Sequence, residues 1–437
     1  MDTITLGPIS SVKGRASVPG SKSYANRYLL LAALTEGQVT VSGLPEAQDI
    51  HVMIGALRSL GRKVEYNSRR NQCKIVGSRR IWRSSGKPVM LGNAGTAMRP
   101  LCAAIALSLR EGEIILDGDP RMRERPIGDL VNALRSLGAD ITYLAASGFP
   151  PLQIRPILSA TVAECVRVSG DTSSQFLSSL LMAAPLLAHG LTIEVAGELV
   201  SRPYVDLTIA AMKKFGLTVL RKHDREYYVP PQTHSMAPRE LRVVGDVSSA
   251  SYLLAAGAVG GGPVRVSNLA PTDYTQGDLR FVDVIERMGA TVVRGDNWIE
   301  VSGDVAALKG LDMDFGDMPD GAMTVAALGL FANGTTTVRG IGNWRFKETD
   351  RLAAMSNELR KLGASVLTGS DFISVTRPKK ILPAIVETYN DHRMAMCLSL
   401  AMFSPAGVKI RNPNCCSKTF PQFFEVLHSL MHPSSTC

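Results

Sequence analysis

Aromatic residues are scarce: twelve Phe, ten Tyr and three Trp make up 6% of the 437-residue chain. A chain so poor in rings favours cores of small and aliphatic side chains over aromatic stacking platforms. Cysteine is present but unpatterned. The seven residues Cys73, Cys102, Cys165, Cys397, Cys415, Cys416 and Cys437 are odd in number and contain no C-x-x-C pair, so neither a disulfide framework nor a zinc cage is indicated. No stretch approaches 18 consecutive apolar residues, and a membrane span is not expected. Met1 to Gly20 lacks an apolar run behind a basic region, so the expectation is a cytoplasmic protein without a signal or transit segment.

Acidic residues fall short of basic ones, 39 against 48, giving a formal net charge of +9. Such a balance suits an anionic partner: nucleic acid, phosphate-bearing metabolites or a membrane surface. With 45% hydrophobic and 20% charged residues, disordered and fibrous classes are excluded. The length allows two or three domains.

Familiar motifs are also missing. Gly20-Ser21-Lys22-Ser23 resembles the tail of a P-loop, but the upstream Gly and the preceding apolar strand are absent. There is no G-x-G-x-x-G fingerprint after a strand, no H-E-x-x-H pair and no G-x-S-x-G elbow. His392 in NDHRMAM is read equally well as a buried structural residue or a catalyst. Cys415-Cys416 is read as packing or surface rather than chemistry.

What the chain does have is repetition. Gly, an alternating apolar strand, a Gly- or Pro-bearing turn and a helix recur from Gly37, Gly112, Gly190, Gly262, Gly334 and, in degenerate form, Gly407. A second series interleaves with the first: small-residue helices such as KSYANRYLLLAAL, NAGTAMRPLCAAIALS and DTSSQFLSSLLMA, each behind a polar opening. Apolar on nearly all faces, these helices should be buried. Their Ser, Asp, Asn and Gly openings should cap them. The unit reads as strand–helix–strand–helix–strand, and six units suggest two compact α/β domains of three, with helices inside and sheets outside. The expected boundaries are 20–242 for the first domain and 1–19 plus 243–437 for the second, near the stretch YYVPPQTHSMAPRE.

Helix N-termini attract anions, because unpaired N–H groups and the positive dipole end point outward. Serines and asparagines at such openings are ordinarily caps. Basic residues there are unfavourable unless something negative arrives, so Lys22 and Arg393 carry more information than their neighbours. The turns add Arg121, Arg123 and Arg125 in PRMRERP, Ser201, Arg202 and Tyr204 in VSRPYVD, and Lys418 in SKTFP. GNWRFKETDR adds Asn343, Arg345, Lys347, Glu348, Asp350 and Arg351. Its Glu348–Arg351 and Lys347–Asp350 spacings would also suit a solvated mixed-charge face. Basic residues at matching places in several repeats point instead to one composite anion site.

Seven stretches together resemble one family. They are PGSKSYANR, LGNAGTAMRP, PRMRERP, SGDTSSQF, NWRFKETDR, NDHRMAM and SKTFP, in order and covering most of the chain. The family is the 3-phosphoshikimate 1-carboxyvinyltransferases, or EPSP synthases, within the enolpyruvyltransferases. The resemblance implies two domains of three βαβαββ repeats (an inside-out α/β barrel) joined by two crossover segments, with the site in the cleft they form. It implies transfer of the enolpyruvyl group of phosphoenolpyruvate to the 5-hydroxyl of shikimate 3-phosphate, with phosphate released through a tetrahedral intermediate.

Residue by residue, the resemblance implies that shikimate 3-phosphate contacts Lys22, Ser23, Arg27, Ser173, Ser174, Ser201, Tyr204, Asp320, Asn343 and Lys347. It implies that phosphoenolpyruvate contacts Lys22, Asn93, Gly95, Thr96, Arg121, Gln175, Arg351, Arg393 and Lys418. Asp320 is implied as base and Glu348 as acid, with Lys22 able to share either role. Asp320 could also be a plain helix cap. No metal, cofactor, nucleic acid or membrane partner is expected, and a monomer is. Gly95, Thr96 and Pro100 make the loop similar to the glyphosate-sensitive kind. Departures are Tyr24 after the Lys-Ser pair, Gly321 after Asp320, and a tail from His432 to Cys437 outside the match, read as disordered.

Two rival readings remain. A UDP-N-acetylglucosamine enolpyruvyltransferase would carry a Cys in the loop where this chain has PRMRERP, and none lies between Cys102 and Cys165. A basic nucleic-acid clamp would spread its charge along one face rather than gather it around Asp320 and Glu348.

Overall fold

The computed structural model describes residues 2–78, 82–83, 86–157, 163–223, 225–231 and 238–431. The tail from His432 and part of the stretch read as the domain boundary lie outside them. The chain forms two units, residues 21–243 and residues 1–20 with 244–437.

The regularity of the repeats has a backbone cause. Gly37, Gly112, Gly190, Gly262, Gly334 and Gly407 all have positive φ, between 62° and 101°. A left-handed residue at these turns is nearly free for Gly and strained for side-chain-bearing residues, so each repeat opens on one.

In the 21–243 unit, three four-stranded sheets share one topology. Strand Val89–Met90, helix Gly95–Ser108, strand Ile114–Asp117, helix Gly128–Ser136, and strands Asp140–Tyr143 and Leu152–Arg155 form one βαβαββ repeat. Val89 pairs with Leu116 in parallel, and Ile114 with Ile154 antiparallel. The repeat therefore carries one strand more than the alternating pattern alone suggests. A sheet of this unit is completed by Glu240–Arg242, parallel to Gly37–Ser42.

Helices Lys22–Leu34, Gly95–Ser108 and Ser174–Ala183 pack together inside, and Ala103, Ala104, Ile105, Leu180 and Leu181 have no exposed surface. Alanine-rich faces let the backbones approach closely while apolar area leaves water. The Tyr24 ring is buried 5.5 Å from Tyr28, which in turn lies 6.2 Å from Phe215.

The other unit repeats the plan around helices Val247–Val259, Ala322–Leu328 and His392–Leu398. Its sheets recruit the start of the chain. Val12–Ser17 runs parallel to Gly261–Ser267, and Thr3–Leu6 pairs antiparallel with Val408–Arg411 in a three-stranded sheet. Among the described residues no helix is long and apolar enough to cross a membrane.

Candidate active site

The 21–243 unit gathers its polar residues at the starts of its inner helices. Lys22, the first residue of its helix, places Nζ 3.0 Å from Asp49 Oδ2 on helix Gln48–Ser59. One turn on, Arg27 is spent on the protein itself. Nε donates to Thr208 Oγ1 at 2.7 Å, and the two Nη groups donate to the carbonyls of Ser23 and Tyr204. Burial pushes this guanidinium down to about 10, against the opposing pull of Tyr204 and Tyr24. Arg27 thereby ties the opening of its own helix to that of Pro203–Lys214, beside Ser201, which holds φ 55. That left-handed placement costs a non-glycine residue about 1–3 kcal/mol, and it sets the direction in which the chain enters the Tyr204 helix.

The loop before Gly95 is held by arginines. Arg125 Nη1 donates to Asn93 O and Oδ1, at 3.0 and 2.8 Å. Arg99 Nη1 donates to Gln175 Oε1 at 2.8 Å and Nη2 to Pro126 O at 3.0 Å. Asn26 Nδ2 donates to Thr96 Oγ1 at 2.6 Å. Ser173 caps its helix, its Oγ accepting from Gln175 N, and Ser174 is buried. Arg121 pairs with Glu124 at 2.9 Å. Arg123 turns instead to Asp117 and is half exposed, so it is a surface pair rather than part of this cluster.

The second unit centres on Arg351, which is 1% exposed and bonded to three carboxylates. Nη1 donates to Asp320 Oδ1 at 2.8 Å, Nη2 to Glu348 Oε2 at 2.9 Å, and Nε to Asp391 Oδ2 at 2.7 Å. Arg393 takes the other oxygen of Asp320 at 2.8 Å and also donates to the Tyr252 hydroxyl at 2.8 Å. The Trp344 indole N–H donates to Pro319 O, pinning the Asp320 segment to the Gly342–Phe346 turn that carries Asn343. Lys418, at the end of the Pro413–Lys418 turn, is buried, as is His392, whose Nδ1 lies 3.4 Å from Asp391.

Electrostatics set the ionisation. Burial pushes the Asp320 carboxyl up, but Arg393, Lys347 and Arg351 outweigh it and hold it far below the usual carboxylate range. Burial alone would lower the Arg351 guanidinium, yet Asp391, Glu348 and Asp320 hold it above its ordinary value. Asp320 is thus an ionised carboxylate with a cation on each oxygen. While both arginines stay it is a weak base, and an anion that draws them off would strengthen it.

Two sequence readings change. Asp320 does not cap a helix: Gly321 occupies that position without a side-chain cap, and the Asp320 carboxylate is committed to arginines. Nor is the KETDR segment a solvated charge face, because Glu348 and Arg351 are an interior pair and Asp350 caps helix Arg351–Lys361 through Ala353 N.

The structure also adds residues that the sequence left unassigned. Asp49 opens a surface helix, where an acidic residue looks like ordinary dipole compensation. Asp391 caps its helix through Arg393 N as well as bonding Arg351. Arg99 lay within a quoted motif without a role, and its bond to Gln175 spans 76 residues.

The family described as EPSP synthase (3-phosphoshikimate 1-carboxyvinyltransferase) matches residues 6–427. The chain is 48% identical over 431 residues to the 3-phosphoshikimate 1-carboxyvinyltransferase of Shewanella oneidensis, covering 98% of this chain and all of that one. It is 50% identical over 432 residues to that of Ralstonia nicotianae, covering 97% and 98%. Among solved structures, the EPSP synthase of Acinetobacter baumannii superposes with a TM-score of 0.78 at 23% identity, covering 98% of each chain. The enolpyruvyl transferase NikO of Streptomyces tendae superposes with a TM-score of 0.77 at 16% identity, covering 98% of this chain and 97% of the other. At these identities the two structures speak for the fold.

Proposed function

Since this chain belongs to the EPSP synthase (3-phosphoshikimate 1-carboxyvinyltransferase) family, we infer that Asp320, Glu348 and Lys22 carry its chemistry. The activity is transfer of the enolpyruvyl group of phosphoenolpyruvate to shikimate 3-phosphate, a step of the shikimate pathway. The acceptor 5-hydroxyl loses a proton as its oxygen bonds to C2 of phosphoenolpyruvate, while the methylene carbon gains one. The resulting tetrahedral intermediate expels phosphate as the methyl group returns its proton. Two groups able to exchange protons on opposite sides of the reacting carbon meet that need. Asp320 serves as base toward the hydroxyl, and Glu348, on the same Arg351 guanidinium, as acid toward the methylene.

One observation carries the reading. The two oxygens of Asp320 are held by different arginines, Arg351 and Arg393, both proposed to bind phosphoenolpyruvate. Guanidiniums match carboxylate and phosphate in a bidentate manner. Their engagement with substrate therefore loosens the clamp on Asp320 as the hydroxyl arrives, and basicity appears only with both substrates present.

Arg121, Gln175 and Lys418, with the Asn93–Thr96 loop, complete the phosphoenolpyruvate contacts. Ser23, Arg27, Ser173, Ser174, Ser201, Tyr204, Asn343 and Lys347 complete those to shikimate 3-phosphate. The enzyme acts as a cytoplasmic monomer. Phosphate release tests the reading. Release should require both substrates, fall at least about 100-fold in Asp320→Asn and Lys22→Met, and be absent with UDP-N-acetylglucosamine as acceptor. Unaltered release from Asp320→Asn would overturn the base assignment.

A further inference from the structure

A second carboxyl group lies buried behind Asp320, and none of the roles above uses it. Asp278 sits in the short turn Gly277–Arg280, 43 residues before Gly321, and is 4% exposed. Its Oδ1 accepts from Gly321 N at 3.1 Å, so it grips the peptide that directly follows Asp320. The Ser248 hydroxyl, from the first turn of helix Val247–Val259, donates to Oδ2. Arg280, two residues on, points away to Asp317 at 3.1 Å and does not neutralise it. The charged groups that act on Asp278 from the packed elements are Asp320 and Arg393. Asp320 in turn faces Arg351, Arg393, Lys347 and Glu348.

We propose that Asp278 is a positioning residue for Asp320: it fixes the Asp320–Gly321 peptide through the Gly321 N–H, and its negative charge raises the basicity of Asp320. This rests on the assignment of Asp320 as base.

Asp278 acts on Asp320 in two ways, and the first is geometric. A carboxylate whose two oxygens serve two arginines has its direction set by its backbone, and that backbone is anchored from outside its own segment by Trp344 on one side, through Pro319 O, and by Asp278 on the other, through Gly321 N. Burying a carboxyl here, bonded to a hydroxyl and an amide, is costly and finds no other use in packing.

The second way is electrostatic. Burial and the charge of Asp320 push Asp278 up to about 6, against Arg393, Ser248 and Gly321. An interaction between two titrating sites is mutual, so an ionised Asp278 makes Asp320 bind its proton more tightly. Above about pH 6, Asp278 is charged and Asp320 is the stronger base. Below it, Asp278 is neutral and that support is lost.

The test is the single-turnover rate of the full-length enzyme with phosphoenolpyruvate and shikimate 3-phosphate between pH 5 and 9. The native enzyme should show an inflection near pH 6. Asp278→Asn keeps an acceptor for Gly321 N and removes the charge. It should lose that inflection and run about fivefold slower at pH 8, with KM values unchanged. Ser248→Ala removes a bond that favours the ionised form, so the inflection should move to higher pH; it decides the matter should Asp278→Asn fold poorly.

A native rate and profile in Asp278→Asn, or an unmoved inflection in Ser248→Ala, would overturn the proposal. Asp320→Asn run alongside separates the two ideas. If Asp320→Asn is inactive and Asp278→Asn is native-like, only the role of Asp278 falls; if Asp320→Asn is active, the base assignment falls with it.

Discussion

Arg351 Nε and Asp391 Oδ2 lie 2.7 Å apart, with side chains 1% and 0% exposed. The same guanidinium holds Asp320 and Glu348, so the bond to Asp391 fixes the hub from which both proposed proton carriers hang.

Removing one member of such a pair leaves an uncompensated buried charge, at a cost of about 3–5 kcal/mol. Asp391→Ala should therefore lower stability by that amount in urea titration and abolish phosphate release. Asp350→Ala, which removes only the cap of the Arg351–Lys361 helix, should cost about 1 kcal/mol and leave most activity in place.

A Cβ at Gly95 would stand 2.5 Å from Arg99 Nη1 and 2.8 Å from Arg125 Nη2. Both guanidiniums are buried and committed, Arg99 to Gln175 and Arg125 to Asn93, so they must move together. Gly95→Ala should fold normally yet raise KM for phosphoenolpyruvate about tenfold or more. KM for shikimate 3-phosphate should change little, and steady-state kinetics varying each substrate in turn checks this.

Asp278 also makes a prediction about stability. Its carboxyl is raised from 3.8 to about 6, so the folded state holds this proton more tightly than the unfolded chain. Stability is lost as pH rises from about 4 to 6 and stays lost above that. Asp278→Asn should then be more stable than the native protein at pH 8, by an amount on the order of 3 kcal/mol. The difference should vanish below pH 4. Denaturant midpoints at the two pH values decide it, and an equal gain at both would locate the effect in packing instead.

Similarity of the Gly95–Pro100 segment to the glyphosate-sensitive kind carries its own expectation. Glyphosate should inhibit phosphate release, and added phosphoenolpyruvate should relieve the inhibition. Inhibition that grows with phosphoenolpyruvate would contradict this.

Much of the architecture was legible because it is written locally. Six glycines at left-handed turns, alternating strands and all-apolar helices each report their own backbone, and together they give the repeat. The fourth strand was not legible, because Asp140–Tyr143 and Leu152–Arg155 are short and half polar. The site divides the same way. Lys22, Arg351 and Arg393 stood out as basic residues at or near helix openings. Asp49, Asp391 and Asp278 did not, because each resembles an ordinary residue of the first helical turn until the partner it faces is known. Arg27 announced itself as an anion ligand, whereas its three internal bonds show how much of it goes to holding two helix openings together.

The pairing of Thr3–Leu6 with Val408–Arg411 has a temporal side. A ribosome makes the first of these strands long before the second, with the whole of residues 21–243 in between. Residues 21–243 are contiguous and can fold while synthesis continues. The other unit must hold Thr3–Leu6 unpaired until Val408–Arg411 has emerged, so a segment translated before the whole of residues 21–243 is among the last to find its place.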